Sequence, residues 1–280
     1  MTQGMGSAAA LVGSPPGLPP IVVDVESAGR RQTTAFRIRF FLTWAVIVAL
    51  VGLLVVLGAH NNPRFHLTDW LPFIFSGVGI TLFLSITSIV IACVLAVFGA
   101  LGRLSTNPYL NGVASLYVSL VRGTPLIVQI LFIFLGLPAV GIVVPDVPTG
   151  IIALSFNYGA YLTEVFRAGI QAVPSGQVEA ANALGLPQRQ VLRRVVLPQA
   201  IRIVTPAVAN DFIAMTKDSA LVSIVGVQEL LWKAEAAGTP YVEVFQTIAV
   251  AAVIYWVMTI VLSLFQARLE KQMAAGDRRS

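Results

Sequence analysis

Long apolar segments alternate with short polar segments along most of the chain. A membrane-spanning helix needs about 20 mainly apolar residues to cross a hydrocarbon core of roughly 30 Å. Segments of this kind lie at about 39–59, 74–101, 112–136, 150–170, 199–217 and 245–266. The pattern therefore predicts an all-α, polytopic integral membrane protein with about six transmembrane helices.

The composition agrees with a location in the membrane. Hydrophobic residues make up 56% of the 280 positions and charged residues 11%, whereas soluble domains carry about 25% charged residues. The net charge of +5 does not indicate nucleic acid, because the basic residues lie beside apolar segments, as in membrane proteins. Membrane lipid is the expected surrounding, and no nucleic-acid partner is expected.

Basic residues predict how the spans are oriented. They precede the first span, occupy the loops after the second and the fourth, and follow the last: Arg37, Arg39, Arg103, Arg189, Arg193, Arg194, Arg268 and Lys271. Lys and Arg are enriched in cytoplasmic loops. Six spans then place both termini in the cytoplasm, with external loops at 60–71 and 136–149.

The ends of the chain differ from its centre. Residues 1–36 are rich in Gly, Ala, Ser and Pro, which predicts a disordered cytoplasmic tail. Residues 37–73 are predicted to form an extra N-terminal transmembrane helix with an external loop. Its apolar run is too long for a signal peptide, so an uncleaved anchor is expected. Residues 271–280 are predicted to be a second cytoplasmic tail.

The polar segment 173–198 is the most informative part of the sequence. Ser175 is predicted to cap a helix, and Glu179 would lie near the positive end of that helix. Gly185 suits the left-handed position after a helix end, and a second helix should stop or kink at Pro198. These features predict a short two-helix unit on the cytoplasmic face. A solvated basic connector is the alternative interpretation.

The same segment resembles a known motif. Glu179-Ala180-Ala181, then Gly185, then Val195 and Leu197-Pro198 are similar to the EAA loop of ABC importer permeases, whose consensus is EAA-x3-G-x9-I-x-LP, with Val in place of Ile. Three further segments resemble the polar amino-acid branch (histidine, glutamine, glutamate and arginine type) of these type I transmembrane domains: RGTPLIVQ at 122–129, YGAYLTEVFR at 158–167 and KDSAL at 217–221. The resemblance covers about residues 74–270.

The resemblance implies a function and partners. Residues 74–270 would be an ABC transmembrane type-1 permease domain with a coupling loop at 173–198. The permease would import polar amino acids across the bacterial inner (plasma) membrane by alternating access, driven by a separate ATPase. The implied partners are a cytoplasmic ABC ATPase dimer, an extracytoplasmic solute-binding protein and a second permease subunit, identical or different. The residues expected to contact the ATPase are Glu179, Ala180, Ala181, Gly185, Leu197 and Pro198.

Polar residues within the spans are candidates for the translocation path, because an amino-acid zwitterion needs hydrogen-bond donors and carboxylates in an apolar wall. The candidates are Asn157, Tyr161, Glu164, Asn210, Lys217 and Asp218. Structural alternatives remain open: Glu164 pairing with Arg167, a mutually neutralised Lys217–Asp218 pair, and Arg122 as a topology anchor at the cytoplasmic end of its span. The hydroxyls of Thr81, Ser85 and Ser88 share one helix face and are typical of helix packing.

Several classes of function are disfavoured. The chain has no G-x-x-x-x-G-K-[ST] phosphate loop, so it is not expected to be its own ATPase of that type. As a permease subunit it is expected to have no enzymatic activity and no cofactor. The only histidines, His60 and His66, lie in a predicted external loop, which leaves no metal site. An ion-coupled secondary transporter is the alternative function. It would need an internal repeat and acidic ion sites in broken helices, and no convincing repeat is present. Cargo selectivity is expected to lie largely in the external binding protein.

Overall fold

The computed structural model describes residues 65–277, with side chains to residue 273, and residues 39, 42–46, 49–50 and 52 of a separate N-terminal unit. The described residues of that unit are helical and exposed. The predicted tail 1–36, most of the predicted first span and the last three residues lie outside the described residues. The extra N-terminal helix therefore stays a prediction.

The described residues from 65 onward form nine α-helices and contain no strand, which confirms the all-α prediction. The α-helices, in chain order, are α1 Leu67–Leu104, α2 Pro108–Arg122, α3 Leu126–Ala139, α4 Asp146–Gln171, α5 Ser175–Ala183, α6 Gln188–Val191, α7 Leu197–Asp218, α8 Leu230–Gly238 and α9 Val244–Asp277. A π-helical turn, Leu192–Val196, joins α6 to α7, and 3-10 helices occupy Ser219–Val225 and Thr239–Tyr241.

Two of the described helices, α1 and α9, are long and apolar enough to cross a membrane alone, and α2 and α3 meet the same requirement only when the bent pair is taken together. Helix α1 begins at Leu67, inside the segment predicted as an external loop. Helices α4 and α7 have 26 and 22 residues and coincide with the predicted spans 150–170 and 199–217. Their polar side chains explain their lower hydropathy.

The predicted continuous span 112–136 is wrong. It is broken at residues 123–125, where α2 and α3 meet at 106°. Pro125 precedes α3 with φ −63°. A proline lacks the N–H that would continue the helix ladder, and it disfavours helical backbone at the residue before it. Arg122 consequently lies at the break, as the last residue of α2.

Helices α1 and α4 pack against each other through small residues. A Cβ added at Gly99 would lie 2.2 Å from Thr163 Oγ1, and one added at Gly159 would lie 3.0 Å from Leu95 Cβ. Small residues let helix backbones approach closely, which is how helices associate where lipid removes the hydrophobic driving force. The hydroxyl residues on the shared face of α1 are fully buried, in keeping with their packing interpretation: Thr81, Ser85 and Ser88.

The segment between α7 and α9 is irregular but buried. Its left-handed turn at Gly226 has φ +90°, and Glu229 caps α8 by accepting a 2.8 Å hydrogen bond from the backbone N–H of Trp232. The Tyr255 hydroxyl also donates to Glu229. Thr81 Oγ1 accepts from the N–H of Leu230 at 3.2 Å. Non-helical backbone at membrane depth is tolerated where protein groups satisfy it in this way.

Candidate functional site

The predicted two-helix unit is present between α4 and α7. Helix α5 begins at Ser175, and Pro174 is the residue that precedes it. The prediction that Ser175 caps the helix is therefore wrong, since no side-chain cap forms there. Proline suits this position because its fixed φ is compatible with a helix start.

Gly185 ends this unit's first helix with the predicted left-handed backbone, at φ +74°. Its N–H donates to the carbonyl of Asn182 at 2.9 Å, and the N–H of Leu186 donates to the carbonyl of Ala181 at 3.2 Å. This pair of bonds is the Schellman arrangement, which satisfies carbonyl groups at a helix end. The turn direction after α5 therefore depends on a residue that tolerates positive φ.

The second helix does not stop at Pro198, so the prediction of a helix end there is wrong. Pro198 lies in the first turn of α7, where its missing N–H costs little. The chain runs from α6 through the π-helical turn directly into α7. A buried apolar cluster holds the unit together: Val173, Ala181, Val191, Val196 and Ala200.

The residues expected to contact a partner lie on different sides of this unit. Glu179, Ala180 and Gly185 are exposed, as is Leu184, which is 81% exposed. Ala181 is 5% exposed and packs inward. Leu197 and Pro198 are exposed at the start of α7. We call α5, α6 and the π-helical turn the coupling unit.

The break between α2 and α3 is held by Gln129. Its Nε2 lies 2.8 Å from the carbonyl oxygen of Val121, 2.8 Å from Thr124 Oγ1 and 3.1 Å from the Thr124 carbonyl oxygen. Its Oε1 accepts a 3.1 Å hydrogen bond from Asn157 Nδ2. Asn157, predicted as a path residue, is thus 6% exposed and engaged by the break.

A tyrosine pair connects the break to the end of α7. The guanidinium of Arg122 lies 5.2 Å from the ring centroid of Tyr161, within the range of a cation–π contact. The Tyr161 and Tyr158 rings are 6.5 Å apart. Tyr158 donates a 2.7 Å hydrogen bond to Asp218 Oδ2. A cation and a carboxylate therefore lie on either side of two aromatic rings.

Both oxygens of Glu164 are engaged by arginines. Oε1 accepts from Arg103 Nε at 3.0 Å, and Oε2 accepts from Arg167 at 2.7 Å. The predicted Glu164–Arg167 pair is therefore present. Arg103 also donates to Ser115, so the cluster joins the last turn of α1 to α2 and α4.

The remaining candidates lie on α7. Asn210 and Lys217 are exposed, and Asp218 is partly buried. Within residues 65–273, where side chains are described, ion pairs form at Glu164 and none joins Lys217 to Asp218. The neutralised pair considered from the sequence is therefore absent, and Asp218 takes the Tyr158 hydroxyl as its partner.

Sequence reasoning missed Gln129, Tyr158 and Arg103 as members of these networks. Arg103 and Glu164 are 61 positions apart, and Tyr158 and Asp218 are 60 apart, so no local pattern connects them. A signal was available for Gln129. A polar amide in an otherwise apolar run, shortly after a proline, is a candidate to satisfy a broken helix end.

Comparisons with known proteins identify a matching family and similar permease proteins. The family described as the binding-protein-dependent transport system inner membrane component matches residues 88–275. The arginine transport system permease protein ArtQ of Bacillus subtilis is 34% identical over 74% of this chain and 95% of its own length. The L-cystine transport system permease protein TcyB of the same organism is 40% identical over 72% of this chain and 87% of its own length.

A solved structure agrees with the sequence relatives. The crystal structure of an amino acid ABC transporter with histidines has a TM-score of 0.70 to this chain and 38% sequence identity. The match covers 74% of this chain and 96% of the matched chain in that structure. The resemblance drawn from the four sequence motifs is thereby confirmed.

Proposed function

This chain belongs to the binding-protein-dependent transport system inner membrane components, and on that basis we propose that it is the permease subunit of an ABC importer for polar amino acids. The similarity to permeases for arginine and for cystine supports this class of cargo. Residues 74–270 are proposed as the permease domain. The cargo is moved by alternating access, with ATP hydrolysed by a separate chain.

The proposed assembly has four kinds of contact. The coupling unit binds a dimer of ABC ATPases in the cytoplasm. A solute-binding protein delivers the cargo on the opposite side of the bacterial inner membrane. A second permease subunit, identical or different, completes the path, and lipid surrounds the remaining apolar surface. Both termini are proposed to lie in the cytoplasm, which the basic segments support under the positive-inside rule.

The coupling unit is the observation that carries this proposal. Its apolar cluster makes it a packed body, while Glu179 and Leu184 project to the outside. The unit joins α4 through the three residues 172–174 and continues into α7 without a gap. When the ATPase pair closes and displaces this unit, α4 and α7 are therefore displaced together.

The proposed path lies where α4 meets the break and the end of α7. Arg122 and Asp218 supply opposite charges beside the Tyr158–Tyr161 pair, which suits the carboxylate and the ammonium of an amino acid. Asn210 and Lys217 add exposed polar groups on α7. Tyr161 and Glu164 bound this region, whereas Asn157 is buried against Gln129 at its edge.

The test uses the permease reconstituted in proteoliposomes with its ATPase and binding protein. We expect ATP-dependent uptake of a labelled amino acid. Gly185→Asp and Glu179→Lys are expected to abolish ATPase co-purification while membrane insertion is retained. Gly141→Asp is the matched control, because Gly141 also has positive φ, at +85°, and open space around it. Glu235→Lys, on the exposed side of α8, is the control for Glu179→Lys.

Two outcomes would contradict the proposal. Full recovery of the ATPase with Gly185→Asp would remove the coupling role of the 173–198 segment. Uptake that needs an ion gradient and persists without the ATPase would favour an ion-coupled secondary transporter instead.

A further inference from the structure

A broken helix within the membrane leaves polar backbone groups that need partners. The last turn of a helix has carbonyl oxygens without intrahelical donors, and in hydrocarbon each unsatisfied group costs several kcal/mol. At the end of α2, three of these carbonyls have identified partners. Ser119 O accepts from the N–H of Gly123 at 3.0 Å, Leu120 O accepts from Thr124 Oγ1 at 3.0 Å, and Val121 O accepts from Gln129.

Gln129 also fastens α3 to the rest of the protein. Of the 14 residues of α3, the buried ones are Gln129 and Ile130. Its amide nitrogen satisfies α2, and its amide oxygen accepts from Asn157 in the middle of α4. Gln129 is 8% exposed and Asn157 6%, so this hydrogen bond is formed away from water. This buried amide pair joins the break to the middle of α4, and the Arg122–Tyr161 contact joins it to α4 one turn further on.

Helix α4 leads from that contact to the coupling unit. It is continuous to Gln171, and its 14 residues beyond Asn157 span about 21 Å at 1.5 Å per residue. Three residues later α5 begins. A displacement of the coupling unit therefore reaches Asn157 through an unbroken helix.

We propose that the Gln129–Asn157 hydrogen bond is a positioning contact that makes the break between α2 and α3 follow the movement of α4. This role for the contact presupposes the proposed importer function and adds to it. Arg122 is the last residue of α2, so a break that follows α4 keeps Arg122 beside Tyr161 when α4 moves. Asn157 and Gln129 are positioning residues in this scheme and do not bind the cargo.

The test measures how many amino acids are taken up per ATP hydrolysed. Asn157→Leu removes the donor to Gln129 while it keeps the number and branching of the side-chain heavy atoms. We expect uptake per ATP to fall by about fivefold, the factor expected from the loss of about one hydrogen bond, while ATPase binding and ATP hydrolysis are retained. Ser155→Ala is the control on the same helix, because the Ser155 hydroxyl is buried without a hydrogen-bond partner.

A second variant pair tests the hydrogen bond itself. The exchange Gln129→Asn with Asn157→Gln keeps both amides and the total number of side-chain carbons, and it is expected to recover more uptake per ATP than either single exchange. If the Asn157→Leu variant does not insert into the membrane, Asn157→Ala is measured in the same way. It removes the same donor and adds no side-chain atoms.

The outcomes separate this proposal from the importer function. Absence of ATP-dependent uptake by the unsubstituted protein would overturn the function itself. Normal uptake by the unsubstituted protein with unchanged uptake per ATP in Asn157→Leu or Asn157→Ala would overturn the positioning role. Equal loss of uptake and of ATPase binding would also overturn it, because the contact would then only support the fold.

Discussion

Tyr158 and Asp218, 60 positions apart, are joined by a 2.7 Å hydrogen bond from the phenol to Oδ2. This bond attaches the middle of α4 to the end of α7. Tyr158→Phe leaves a partly buried carboxylate oxygen without its donor, which typically costs about 1–3 kcal/mol. We expect a lower melting temperature of the purified permease in detergent.

Tyr161→Phe is the control for that measurement. The Tyr161 hydroxyl has no hydrogen-bond partner among the side chains that the structure describes, and the substituted ring still faces Arg122. The melting temperature of Tyr161→Phe should stay close to that of the unsubstituted protein. An equal decrease in both variants would mean that the phenol of Tyr158 contributes through packing alone.

The cluster at Glu164 predicts an asymmetric response to substitution. Glu164→Gln leaves Arg103 and Arg167 close together without their shared carboxylate, so it should destabilise the permease. Arg167→Gln should destabilise it less, because Glu164 keeps its contact with Arg103 at 3.0 Å. Thermal unfolding in detergent measures the order. A larger loss for Arg167→Gln would show that Arg103 contributes little to the pair.

The left-handed backbone at Gly185 predicts an order in which other residues are tolerated at this position. Its φ of +74° is populated freely by Gly, at moderate cost by Asn, and poorly by Ala or a β-branched residue. ATPase co-purification should therefore fall in the order Gly185, Gly185→Asn, Gly185→Ala, Gly185→Val. The space around a Cβ is open here, so bulk alone does not explain such an order. An Asn variant weaker than the Val variant would contradict it.

The close approach of α1 and α4 predicts a steric effect with a compensating change. Gly99→Ala introduces a Cβ 2.2 Å from Thr163 Oγ1, and overpacking of this kind usually costs about 1–3 kcal/mol. Thr163→Ala should recover part of that loss. Gly79→Ala, in the same helix with nothing within 4 Å of the added Cβ, is the control. The amount of folded permease recovered from membranes measures the effect.

Local patterns were enough to predict much of this protein. Apolar run length predicted α4, α7 and α9 to within a few residues at their first residues, and Gly185 predicted the left-handed turn. The break at 123–125 does have local signals in Gly123 and Pro125, but the long apolar runs on both sides favoured one continuous span. The partners that hold the break, above all Gln129 and Asn157, come from packing and not from local sequence. Pro198 was misinterpreted because a proline at a helix start and one at a helix end look alike in sequence.

For the candidate site, the sequence offered single polar residues and one pairing that the structure shows. Glu164 and Arg167 lie one helical turn apart, so their contact follows from spacing. The partners of Asn157 and Asp218 come from other helices, and helix packing decides which of them meet. Asn157 therefore looked like a side chain facing an open path, whereas its amide is buried against Gln129.

The unbroken course of α4 limits which insertions and deletions this protein can accept. One residue added between Asn157 and Gln171 would rotate the coupling unit by about 100° around the helix axis and move it about 1.5 Å along it. The break and the ATPase-facing surface would then no longer share the same helical phase. A residue added at 140–145, between α3 and α4, would leave that phase unchanged. Length variation among related permeases should accordingly collect in the α3–α4 loop and be absent from the second half of α4.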